Sequence, residues 1–340
     1  MAKKISKKLA EVINPFVTNK WAEWNASHLK PKHLVYRHDD KKGNRFYYFK
    51  YNEEWVIAAG ITTILDKVST HEDQRALVKW KEDNPNWRHL LNISSGYGTL
   101  EHMVHGDIMF GKGADKDKLN SMQELIINNG GTYFLPAMDV LAFMRFQEDY
   151  NLTPLLIEAQ LVYEDPDSEE WIAMTIDLLA KMTVTIKTKT QEDDGVYMSG
   201  PRKGQQRLKD VTTEDRVDKI LLIDFKGNFF EKDRKTFYES NKMQLMAAKL
   251  AVQQNFPDIK VDDVYNYAPN SWRTEPSYTF KKWDLTDDDW EVYDTYMKLA
   301  HLKGYNKPVG KMLITEGFKD SKDYKFLTYK EYVEQVLTKD

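Results

Sequence analysis

Asp224 and Lys226 close one of the most apolar runs in the chain, Ile220-Leu221-Leu222-Ile223-Asp224-Phe225-Lys226. Side chains two apart on a strand leave the same face, so a carboxylate and an ammonium project together while Phe225 points the other way. Neither charge is cheap to place there without a partner or a metal ion. A carboxylate that can hold a hard divalent cation, beside a lysine that can stabilise developing negative charge, is the equipment that phosphodiester hydrolysis requires. An ordinary ion pair at a strand end has the same spacing, so the functional reading needs further groups. Gly227 follows directly and permits a turn and a close approach by a ligand.

Asp177 supplies the first of those groups. It is a single acid inside Ile172-Ala173-Met174-Thr175-Ile176-Asp177-Leu178-Leu179, and a lone carboxylate in an apolar strand demands an explanation. If the two strands are neighbours, Asp177 and Asp224 can converge on one cation; otherwise Asp177 caps a turn or pairs with Lys181. His102 follows Gly98 by four residues in a helical pattern, where a neutral imidazole facing the sheet can complete a metal shell, more readily for manganese than for magnesium. His105, one turn on, leaves a zinc pair or two satisfied polar residues as alternatives. Glu158 opens an earlier strand and can reach a metal through water. Gln244, on the helix after the Asp224 strand, can bond a DNA phosphate, steady Lys226 or simply face solvent.

The stretch Gly106-Asp107-Ile108-Met109-Phe110-Gly111-Lys112-Gly113 has phosphate-loop spacing, but Gly113 stands where magnesium needs Ser or Thr and no apolar strand precedes it. No ATP site is expected.

The elements that must position these residues follow from hydrophobic period. Arg45–Tyr51 and Trp55–Ala58 read as an aromatic hairpin turning at Asn52-Glu53-Glu54, and Gly60–Leu65 begins a short helix; residues 66–95 are helical in part. Helical spacing returns around Gly98–His105 and again over Ala137–Tyr150, with Val140, Leu141, Phe143, Met144 and Phe146 as its buried face. Strands are expected at Leu155–Tyr163, Trp171–Met182 and Lys219–Phe225, then a helix over Thr236–Gln254 and a strand over Val261–Tyr267. Residues 187–218 read as an extended hairpin tip or a mobile loop. The tail adds an aromatic loop (Trp272, Tyr278, Phe280, Trp283), a helix capped by Thr286 and a last helix after Thr328. The fold expected is α/β, a central mixed sheet flanked by helices in the order α-β-β-β-α-β, with additions at both ends.

The 340 residues, 41% hydrophobic and 13% aromatic, can bury a substantial core. The absence of cysteine removes disulfides, thiolate zinc sites and an iron–sulfur cluster. No apolar run approaches the roughly 18 residues that span a bilayer, and no signal-peptide core follows the first charges, so no membrane partner and a cytoplasmic location are expected. The net charge of −4 hides a basic start: residues 1–50 carry a surplus of +8, leaving −12 on the rest. Such an arm can grip phosphate, or be a solvated helix.

Taken in order, Gly98-Thr99-x-x-His102, Thr175-Ile176-Asp177, Ile223-Asp224-Phe225-Lys226 and Gln244 resemble the RecB-like branch of the PD-(D/E)xK nuclease superfamily. Gly60-Ile61-Thr62-Thr63-Ile64-Leu65 is similar to a segment upstream in phage and mitochondrial genome-maintenance exonucleases of that branch. The resemblance covers roughly residues 45–270. It implies a restriction-endonuclease-like core, with Mg²⁺ or Mn²⁺ held by His102, Asp177, Asp224 and the Phe225 carbonyl. Lys226 would be the catalytic lysine and Gln244 its support. Glycine is missing before Asp177, and Ala248 stands where the family's helix has tyrosine.

The expected organisation is a basic, DNA-gripping region over 1–95, a nuclease core over 96–270 and an aromatic loop with helices over 271–340. The expected activity is metal-dependent exonuclease action on DNA from linear ends, with single-strand preference; an endonuclease or junction resolvase, or an inactive nucleic-acid-binding protein of this fold, are the alternatives. Glu158, Gly98, Thr99 and Tyr97 are expected to face substrate, with Trp21, Trp24, Trp55 and Tyr97 available to stack bases. DNA and, by the resemblance, replication or recombination proteins are the expected partners.

Overall fold

A computed structural model describes residues 29–306 apart from 40–44, 53, 70, 129–135, 228–235 and 271–274. The basic start with Trp21 and Trp24, Trp272, the Trp55 side chain and the helix expected after Thr328 lie outside the described residues.

The centre is an eight-stranded mixed sheet. Its strands are β1 (Val35–Asp39), β2 (Arg45–Tyr51), β3 (Glu54–Gly60), β4 (Leu152–Glu164), β5 (Trp171–Val196), β6 (Gln206–Phe225), β7 (Asp263–Pro269) and β8 (Tyr278–Trp283). The order is β1-β2-β3-β5-β6-β7-β8, with β4 paired along β5. The β3–β5 and β6–β7 pairings are parallel; the others are antiparallel. Two strands escaped the sequence reading: β1, and β8, where an aromatic loop was expected. In β8, Phe280 stacks on Tyr265 with ring centroids 4.1 Å apart, so the aromatic residues serve cross-strand packing.

Among the described residues the helices are α1 (Ile61–Val68), α2 (His71–Asp83), α3 (Trp87–Met109), α4 (Lys116–Asn128), α5 (Pro136–Tyr150), α6 (Glu239–Asn255) and α7 (Asp287–Lys303). They divide between the sheet faces. Ile93, Tyr97, Leu100, Val104 and Ile108 form one stripe at helical spacing on α3, packed with Val140, Phe143 and Phe146 of α5 against Leu221, Ile223 and Phe225 of β6. The opposite face takes Leu222 with Met243, Met246 and Ala247 of α6, Tyr293 and Met297 of α7, and Ile61 and Ile64 of α1. Leu141 and Met144, expected in the core, are 46% and 38% exposed; three of the five apolar positions on α5 suffice for its buried stripe.

The boundary expected at residue 95 falls inside α3, and β1–β3 join the main sheet where Ala59 and Gly60 pair with Ile172 and Ala173. The 187–218 excursion is an antiparallel ladder, irregular only between Asp193 and Val196, with Lys187 opposite Glu214 and Thr190 opposite Val211, so of the two alternatives the hairpin is found. Thr286 caps α7 as expected: its side chain accepts from the Asp289 amide at 3.2 Å, and the Asp289 carboxylate accepts from the Thr286 amide at 3.0 Å.

The α7 face is tied to the sheet by a buried hydroxyl pair, Tyr163 of β4 with Tyr293. Tyr293→Phe leaves the Tyr163 hydroxyl buried without its partner and should cost about 1–2 kcal/mol, measured by urea unfolding. Adding Tyr163→Phe should recover part of that loss, since both polar groups are then gone.

Candidate metal centre

Two irregularities in neighbouring strands make the site. On β5, Ile172, Met174 and Ile176 face the α6 cluster, but Leu178, Ala180 and Met182 face the α3 cluster, so the alternation reverses at Asp177. On β4 it reverses at Glu158, between Ile157 and Ala159, where Glu158 has φ +49°. The ladder pairs Ile157 with Leu178 and Ala159 with Ile176, leaving Glu158 and Asp177 across from each other without a bridge. A left-handed glutamate inside a strand costs on the order of 1–3 kcal/mol and persists only where its surroundings enforce it. The consequence is that two carboxylates emerge together toward α3.

His102 of α3 meets them. Its Nδ1 lies 2.8 Å from Glu158 Oε1 and 3.6 Å from Asp177 Oδ1. The ligand atoms of His102, Glu158 and Asp177 all fall within 4.8 Å of one another, a group that can hold a metal ion. Glu158 is thus a direct member of the cluster. Burial works against the imidazolium, but the Asp177 and Glu158 charges outweigh it and lift His102 to about 10. Burial, opposed by His102 and reinforced by Asp224 and Glu158, lifts Asp177 to about 7. Without metal, a protonated imidazole supplies the positive charge between the carboxylates.

The other oxygen of Asp177 performs a second task. β6 pairs with β5 only up to Ile223, opposite Leu178, and β3 only at Ile172 and Ala173, so the edge of β5 between them is open. There Asp177 Oδ2 accepts the Phe225 amide at 2.7 Å. It is this amide that ties Phe225, placed among the metal ligands on sequence, to the centre. Lys181, the alternative partner of Asp177, pairs with Asp218 at 3.0 Å.

Asp224 is beside the three-residue group but is not a member of it. Its Oδ1 accepts from Lys226 Nζ at 3.0 Å and its Oδ2 from Asn266 Nδ2 at 2.5 Å. Lys226 Nζ also donates to Gln244 Oε1 at 2.9 Å, which selects, among the roles open to Gln244, that of steadying the lysine. Asn266, fully buried and directly opposite Asp224 on β7, accepts from Trp283 Nε1 at 2.7 Å. Sequence reasoning missed Asn266, although a lone amide within Val264-Tyr265-Asn266-Tyr267-Ala268 is the signal that exposed Asp177.

The remaining expectations fare differently. Gly98 lies in the interior of α3, which starts at Trp87, so it does not initiate the helix; among the described residues a Cβ there would meet nothing within 4 Å, one turn from His102. Thr99 Oγ1 donates to the Ser95 carbonyl at 2.9 Å on an exposed face. Tyr97 cannot stack a base: its ring is fully buried and its hydroxyl donates to Asp139. His105 is neither a zinc partner within the cluster nor a satisfied polar residue. It stacks on Phe143 at 3.7 Å, neither ring nitrogen has a hydrogen-bond partner among the described residues, and burial followed by the His102 charge holds it well below the usual histidine range. At Gly227 the close approach is made by protein: a Cβ would stand 2.9 Å from Glu101 Oε2. Ala248, at the family's tyrosine position, is buried in the α6 core.

The shifted groups give a pH signature. Folded His102 keeps its proton from pH 6.5 to about 10 while the unfolded chain releases it, so the metal-free protein should lose stability as pH rises through that interval. A divalent cation competes with the proton and should flatten the decline. Melting temperatures across that range, with chelator or with added metal, check this; His102→Asn should remove the chelator-dependent slope. No family model matches this sequence and a comparison with curated proteins finds no match, so the functional reading rests on residues and their geometry.

Proposed function

We propose that this chain is a metal-dependent deoxyribonuclease of the PD-(D/E)xK type, hydrolysing phosphodiester bonds from linear DNA ends. The observation that carries the reading is the position of Asp177, which shares one oxygen with the His102–Glu158 cluster and binds the backbone of the Asp224-Phe225-Lys226 segment with the other. Two carboxylates and an imidazole are a donor set that Mg²⁺ tolerates and Mn²⁺ accepts more readily, because nitrogen suits the softer ion. His102, Glu158 and Asp177 would hold the metal, with Asp224 adjacent. When bound, the metal would polarise the phosphate and lower the pKa of water.

The chain's own residues do the rest. Lys226 offers a positive charge for the negative charge that builds on the phosphate, and Asp224 with Gln244 fixes where that charge stands. Asn266 holds the far oxygen of Asp224, so the carboxylate has one orientation. Among the described residues nothing crowds the helix surface at Gly98, which favours the approach of a strand to His102.

Metal-dependent degradation of end-labelled DNA tests the proposal. Lys226→Ala, Asp177→Asn and Asp224→Asn should each lower the rate about 10²- to 10⁴-fold at unchanged fold, and Gln244→Ala should fall between these and the native protein. Survival of circular single-stranded DNA beside degraded linear DNA is the expected mark of an exonuclease; cleavage of the circle would make the protein an endonuclease, and no cleavage of any DNA with either metal would end the nuclease reading.

A further inference from the structure

β4 leaves β5 at Met182 and β7 joins β6 only at Leu221. Beyond those rungs β5 and β6 continue alone, from Thr183 opposite Asp218 to Val196 opposite Gln206. The ribbon so formed is about 45 Å long at about 3.4 Å per residue, and most of its described side chains are exposed. Beyond Val184, which packs against the α3 cluster at its base, its described side chains bury no face against the body, and an isolated two-stranded ribbon is marginal in water. Cross-strand polar contacts hold it instead, among them Gln191 with Asp210 at 3.1 Å and Arg207 with Asp194 at 2.7 Å.

Its charge is divided along its length. The shaft, 183–194 with 210–218, has seven acidic residues against three basic ones, whereas the tip, 196–209, has four basic residues and no acidic one. Among the described residues, Arg207 alone of those four has a carboxylate partner. The tip is an ordered turn: Lys203 donates its amide to the Gly200 carbonyl at 3.1 Å and Gly204 to the Tyr197 carbonyl at 2.8 Å. Gly200 and Gly204 take φ +81° and +83°, which sets Pro201, Arg202 and Lys203 at the corner. Met198 beside them is 80% exposed.

We infer that the tip of this ribbon is a second contact for duplex DNA, remote from the metal centre. This rests on the proposed function for the identity of the nucleic acid. Arg202 and Lys203 would lie on phosphates, with Met198 and Pro201 as an apolar edge of the kind that basic β-arms place in a minor groove. The acidic shaft repels phosphate, so contact is confined to the tip. β5 runs from Asp177 to the tip over a path of about 60 Å, equivalent to roughly 18 base pairs of duplex. A short duplex held at the metal centre cannot reach the tip, and a long one can.

The test uses full-length protein in chelator, with blunt duplexes of about 12 and about 40 base pairs, and follows the salt dependence of Kd by fluorescence anisotropy. For Arg202→Ala/Lys203→Ala the slope of log K against log salt should become shallower by about one to two on the long duplex and stay unchanged on the short one. An unaltered melting temperature shows that the exposed double variant folds. An equal change on both lengths, no change on either, or no duplex binding by the native protein overturns the inference. So does a dimeric native mass in light scattering that becomes monomeric in the variant, which would make the tip a contact between copies. Length-dependent binding without metal-dependent cleavage would sink the nuclease reading and leave the arm; cleavage with unaltered binding would do the reverse.

Discussion

The carboxylate of Asp177 holds together two requirements that ordinarily conflict. A sheet is stable when each strand pairs along its length, yet a site needs a place where pairing stops and side chains can converge. β6 stops pairing with β5 just before Phe225, and Asp177 Oδ2 takes the amide released there. The fork therefore opens without an orphaned donor, which would cost about 1–3 kcal/mol if left buried. The same side chain turns its remaining oxygen to His102. Removing it would disturb both the end of β6, which aims Asp224 and Lys226, and the charge balance of the cluster.

From that point two polar chains run to opposite faces of the sheet. One passes through Glu158 and His102 to α3, behind which lies a buried layer of Tyr97, Glu101, His105 and Asp139. Burial and the neighbouring Glu101 charge push Asp139 well above the ordinary carboxylate range, while the bond it accepts from the Tyr97 hydroxyl works the other way. The other chain runs Gln244, Lys226, Asp224, Asn266 and Trp283, and locks the lysine between β6, α6 and β7. The lysine's position is over-determined by these contacts, whereas the His102 cluster is held chiefly by attraction between unlike charges. The first is a rigid fixture; the second is poised for a competing cation.

Much of this was legible in the chain. Period-two and period-3.6 patterns located the α-β-β-β-α-β elements because their apolar faces are long and nearly unbroken, as in α3 and β6. Asp177, Asp224 and Lys226 stood out because a polar residue amid apolar neighbours requires a partner, whereas His102 and Gln244 were singled out by their places on helices and by the resemblance. The reading failed where position depends on contacts distant in sequence. Glu158 was assigned an indirect role because strict alternation does not place it beside Asp177; only the left-handed backbone does. Tyr97 looked available to a base, but whether a tyrosine on a helix faces solvent depends on where α5 packs. β8 was taken for a loop because its aromatic and lysine residues have no clean alternation, and its pairing with β7 makes it a strand.

The reversal at Glu158 and Asp177 shows why the strain belongs at this place. If β4 and β5 alternated without interruption, residues 178, 180 and 182 would face α6, and the apolar set that now covers α3 would be misplaced by one residue. The two strands must slip together for their cross-strand pairs to stay in register, and they do so at opposed positions. A slip in one strand alone would part Ile157 from Leu178 and Ala159 from Ile176. Paired reversal keeps both cores intact and delivers two acids to the face on which His102 stands. Pairing and packing thus concentrate the distortion at one rung, and the electrostatic attraction of the imidazolium offsets part of its cost.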